Sequence, residues 1–162
     1  MEALKKFEIV KFGPYRFIGK SVYARAGVSG TIFGGLWDNA NWVFEELDKL
    51  SAYATDEVYN AALVNWEKYD IKTELIGYTV GRFMKTDTPV PVNVPEKMDY
   101  FDIPKTFIAK GWFNNGGRRA DAEAIVLDAL SLYPEYANAV YHFMVEVYNK
   151  DAYGYYINCD KK

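Results

Sequence analysis

The chain has 162 residues, half of them hydrophobic and 17% aromatic, with a formal net charge of −3. That composition excludes global disorder and supports a core of ordinary domain size. No clustered positive face marks a nucleic-acid surface, no run of about 18 apolar residues marks a membrane span, and a single cysteine, Cys159, excludes an internal disulfide.

Residues 7–23 read as a long strand that bends at Gly13-Pro14, because proline interrupts a ladder. Residues 24–31 read as a loop, with Thr31 a candidate N-cap. From Phe33 to Leu47 the apolar residues Phe33, Leu36, Trp37, Ala40, Val43, Phe44 and Leu47 follow the spacing of one helical face. After a connector at 51–56, residues 60–69 and 73–83 read as two strands, with Gly77 and Gly81 as candidate bulges. The expected unit, residues 5–84, is therefore strand, helix, strand, strand. Residues 85–97, with Pro89, Pro91 and Pro95, read as an extended linker.

Residues 98–160 repeat that order. Met98–Phe113 reads as a strand, Arg119–Leu132 as a helix stopped by Pro134, and Val140–Tyr148 with Tyr153–Asn158 as a hairpin. Phe17-Ile18-Gly19-Lys20 recurs as Phe107-Ile108-Ala109-Lys110, from 17 to 107, an offset of 90. Glu67-Lys68-Tyr69 recurs as Glu146-Val147-Tyr148, from 67 to 146, an offset of 79. The expected architecture is a single α+β domain over 1–162. Its two halves would be related by a pseudo-twofold axis, with antiparallel sheets and helices on one face. A ligand site would lie in the seam.

Alternation along the penultimate strand puts Met144, Glu146 and Tyr148 on one face and Phe143, Val145 and Val147 on the other. The second set is wholly apolar and is expected against the helices, leaving Glu146 on the opposite face among aromatic and thioether groups. A carboxylate there is costly unless something offsets it. It suits a lipophilic cation, whose contacts with aromatic faces add about 0.5–2 kcal/mol each, or general acid–base chemistry. The alternative is a solvated strand residue. The same choice applies to Glu67, whose neighbours Lys68 and Asp70 suggest a wet strand end. Trp112, on the Lys110 side of its strand, and Tyr69 are candidate groove walls. Trp37 lies in the helical stripe but within reach of the seam. His142 is the single histidine, with no nucleophile pair or metal partners near it, so no metal or cofactor is expected.

Taken together, the segments Phe7–Tyr23, Phe33–Leu47, Leu75–Tyr78, Phe107–Phe113 and Val145–Tyr148 resemble the GyrI-like small-molecule-binding family, the bacterial transcription-activator effector-binding domain. The resemblance implies a pocket between the two units for aromatic, often cationic, drug-like molecules. It also implies an essential glutamate, which falls on Glu146 and is followed by Tyr148. In many relatives the domain is joined to a helix-turn-helix; this chain looks like a stand-alone member that does not itself bind nucleic acid. Some stand-alone relatives hydrolyse cyclopropane-bearing DNA-alkylating compounds, a role with which Glu67, Glu146 and Trp112 are compatible. The expected function is binding of such molecules by a cytoplasmic monomer or homodimer. Hydrolysis in the same groove is the first alternative, and a protein-interaction or inhibitor module the second.

Overall fold

The computed structural model describes residues 4–25, 29–65, 72–114, 119–139, 142–149 and 151–162. Its strands are β1 (Lys6–Phe12), β2 (Tyr15–Arg25), β3 (Asn60–Asn65), β4 (Leu75–Met84), β5 (Asp99–Ile103), β6 (Thr106–Phe113), β7 (Tyr136–Asn138), β8 (Phe143–Asn149) and β9 (Ala152–Lys161). The helices are α1 (Ser29–Asp38), α2 (Asn41–Asp48) and α3 (Ala122–Leu130). All nine strands join one antiparallel sheet in the order β1-β6-β9-β8-β3-β4-β2-β5, with β7 added beside β9. The fold is α+β.

The long first strand is cut in two at Gly13, whose φ of 83° suits glycine, and Pro14. β1 and β2 then part, β1 pairing with β6 and β2 with β4 and β5. The one helix expected over 33–47 is two. Asn39 Nδ2 donates to the carbonyl of Gly35 at 2.9 Å, and the amides of Asn39 and Ala40 turn back to Leu36 and Trp37. A short polar side chain that bonds its own backbone competes with helix continuation. The expected bulges are absent, since the β2–β4 ladder passes Gly77 and Gly81 in unbroken register. Gly19 faces Gly81 there because a Cβ on either would fall about 2.0 Å or less from partner backbone. The stretch between β4 and β5, residues 85–98, has no helix or strand.

The strand order is unchanged when β1 is exchanged with β5, β2 with β6, β3 with β8 and β4 with β9. The registers obey the same exchange. A shift of 91 residues turns Phe12↔Thr106 into Ile103↔Tyr15, both ladder pairs. With β2 carried to β6 by 91 residues, β4 to β9 by 75 and β3 to β8 by 84, Val22↔Tyr78 becomes Phe113↔Tyr153, and Ala62↔Val80 becomes Glu146↔Tyr155. Ala62 and Glu146 are themselves paired across β3 and β8, so the relation between the halves passes through this spot. The letter-for-letter offset of 90, by contrast, exchanges the two faces of the sheet. Phe17 and Ile108 enter one core, whereas Phe107 faces the other side of the sheet. Likewise the register partner of Glu146 in the first half is Ala62, not Glu67; Glu67 and Tyr69 lie outside the described residues.

The sheet curls so that its inner face closes on itself. Phe12, Phe17, Phe83, Ile108, Phe143 and Tyr156 fill that space, with Phe12 and Phe17 meeting Phe83 edge-on at 5.0 and 4.8 Å. The outer face carries two separate patches. One packs α2, through Val43 and Leu47, on Ile18 and Val80; the other packs α3, through Val126 and Leu130, on Ala109 and Ile157. This corrects the expected facing of β8. Val145 and Val147 enter the helix-free inner core, and Glu146 is on the helix-bearing face. Alternation fixes which residues share a face, but not which face the helices cover.

Candidate functional site

Between the two helical patches the outer face is left uncovered, and a cavity of about 370 Å³ opens there. Its floor comes from β3, β4, β8 and β9; α1 forms one wall, and the residues entering α3 form the other. Glu146 lies on this floor, 8% exposed.

Two tyrosines hold the carboxylate. The Tyr78 hydroxyl donates to Glu146 Oε1 and the Tyr153 hydroxyl to Oε2, each at 2.6 Å. These tyrosines are exchange partners in the ladder registers, so equivalent places in the two halves grip one side chain from both sides. Trp37 Nε1 donates to the Tyr78 oxygen at 2.8 Å, fixing that ring's orientation. Burial, and then the charge of Glu146, push both tyrosine pKa values well above the ordinary range. Both hydroxyls therefore keep their protons and remain donors.

Aromatic faces enclose the carboxylate. Phe33 from α1 stacks on Tyr78 with centroids 4.1 Å apart and planes 7° from parallel. Trp37 meets Tyr148 edge-on at 4.9 Å, and Tyr148 lies 5.3 Å from Tyr153. Tyr155 donates to Met144 Sδ at 3.2 Å, placing the thioether in the same lining. At the α3 side stand Glu123 and Arg119, the latter forked onto Asp121 at 2.6 and 3.3 Å. Among the described residues the charged lining is thus two carboxylates and one guanidinium that already has a partner.

Of the residues singled out in the sequence, Glu146, Tyr148, Met144 and Trp37 line this cavity. Trp112 does not. It lies on the inner face, edge-on to Tyr59 at 5.7 Å and to Tyr156 at 5.8 Å. His142 sits just before β8, its pKa lowered by burial against the opposing influence of Glu123. Among the described residues no three His, Cys, Asp or Glu gather as a metal would require. Sequence reasoning missed Tyr78, Tyr153, Tyr155 and Phe33. The equivalence of Tyr78 with Tyr153 emerges only from pairing registers, since the intervening loops differ in length.

No family model matches the chain, and neither does any curated protein. Solved structures do share its architecture. A protein provisionally described as a bacterial transcription regulation protein, from Staphylococcus aureus MU50, aligns with a TM-score of 0.62 at 9% identity, covering 96% of this chain and 98% of that one. SAV2435, solved bound to tetraphenylphosphonium, aligns with a TM-score of 0.64 at 8% identity, covering 96% and 94%. At such identities the likeness is one of fold.

Proposed function

We propose that the protein binds aromatic, cationic small molecules in the cavity between α1 and α3, with Glu146 as the charge that selects them. The observation that carries this reading is a buried carboxylate, gripped by two tyrosine hydroxyls, on the floor of an aromatic enclosure. A fixed negative charge with aromatic faces around it attracts a delocalised cation both by Coulomb interaction and through the ring quadrupoles. About 370 Å³ falls at the small end of the range for small-molecule sites. The fold shared with SAV2435, which was solved with a phosphonium cation, supports the same reading. A GyrI-like relationship agrees with it too.

Binding is favoured over turnover because Glu146 accepts from two hydroxyls that keep their protons, which suits a fixed counter-charge better than a proton carrier. Tetraphenylphosphonium titrated into the purified protein tests the proposal, by calorimetry and by the rise in Tm that selective binding produces. Glu146→Gln keeps the shape and removes the charge; it should weaken binding at least tenfold. Equal affinity in the two proteins would refute the electrostatic role.

A further inference from the structure

Adjacent residues of β9 look to opposite sides of the sheet. Tyr155 lines the cavity above, while Tyr156 faces the inner side, where a second groove of about 440 Å³ opens between β1, β6 and the segment before β3. Trp112 is its wall. The indole lies flat against Gly154, where a Cβ would come within 2.8–3.1 Å of the ring, so glycine lets the indole seat on bare backbone. Tyr59 and Tyr156 meet Trp112 edge-on. At the floor Lys110 is paired with Glu57, their side chains 14% and 11% exposed, and Lys110 Nζ lies 4.8 Å from the centre of the Tyr156 ring. Tyr156 also donates to the free oxygen of Glu57 at 3.4 Å.

The rim charges of this groove sort themselves. Lys6 pairs with Glu8 at 3.6 Å, and Lys110 with Glu57. Lys5 and Asp56 also line the groove, and neither forms an ion pair among the described residues. Among the described lining residues, what remains is one available ammonium, one available carboxylate and an indole wall met edge-on by two tyrosines. The geometry points to a second binding site, for a small aromatic zwitterion: a flat ring against Trp112, an anionic group toward Lys5 and a cationic group toward Asp56. A ligand with one sign of charge would satisfy one rim residue and leave the other without a counter-ion.

L-Tryptophan is the probe, titrated into the ¹⁵N-labelled protein while the Trp112 indole and Gly154 amide resonances are followed. Saturable shifts at both are expected, with tryptamine and indole-3-propionate at least tenfold weaker. Lys5→Gln and Asp56→Asn, both rim changes that leave the core intact, should each weaken L-tryptophan about tenfold. Glu146→Gln should leave it unchanged, so this test succeeds or fails independently of the cation site. The proposal is overturned by any of three results: no saturation at millimolar L-tryptophan, equal affinity for all three indoles, or loss of binding in Glu146→Gln with shifts at Tyr148 and Tyr155 instead.

Discussion

Glu146 stands where the first half of the chain has Ala62, and the exchange of one small apolar residue for a carboxylate is what makes the symmetric floor a charged one. Tyr78 and Tyr153 then give it one donor per oxygen. Their near-equivalence predicts similar losses for Tyr78→Phe and Tyr153→Phe. Each deletes a hydrogen bond to a charged group, and urea unfolding should show about 1.5–3 kcal/mol lost. Tyr78→Phe should also free the Trp37 indole N–H, so a blue shift or broadening of tryptophan emission is expected in that variant alone. The carboxylate was legible from strand alternation, because Met144 and Tyr148 bracket it at period two. Its clamp was not, since a tyrosine 68 positions away reaches Glu146 only through two successive ladder pairings.

Elements were legible where periodicity is local and misread where tertiary packing chooses. The β8–β9 hairpin, the α3 stripe and the proline-bounded connection between β4 and β5 all follow from side-chain order. By contrast, the sheet's two faces are both apolar, so nothing in the order of Phe143, Val145 and Val147 says that they meet Phe12 and Phe17 rather than a helix. The α1–α2 break turns on one Asn39 side chain, and a hydrophobic stripe that runs through Ala40 and Val43 conceals it. The close approach of β2 to β4 depends on the facing glycines Gly19 and Gly81. Gly81→Ala should therefore be among the most damaging single-methyl additions, because the new Cβ lands on backbone that cannot swing away. A loss above about 3 kcal/mol is expected, read from the urea midpoint. Gly34→Ala, with open space at the Cβ position on a helix, should be neutral or mildly stabilising.

At the scale of the molecule, buried tyrosines set the alkaline limit. Tyr78, Tyr153 and Tyr156 have pKa values raised by burial and by the neighbouring Glu146 or Glu57. In the unfolded chain they release protons near pH 10; in the folded protein they retain them. Their contribution to stability is thus fully present below pH 10 and is lost as pH rises above it. The expected slope is about 1.4 kcal/mol per pH unit for each such tyrosine. Tm measured from pH 9 to 11.5 should fall steeply above 10, and less steeply in Tyr156→Phe relative to that variant's own starting value.

Each half also lends its first strand to the other: β1 leaves to pair with β6, and β5 comes back to pair with β2. Neither half can finish its own hydrogen-bonded array, much as two clasped hands cannot be closed singly. A backbone cut between residues 92 and 93, in the irregular connection, should therefore yield fragments that are unstructured alone yet regain the native circular dichroism spectrum on mixing. The intact chain should melt in one transition, with no surviving half.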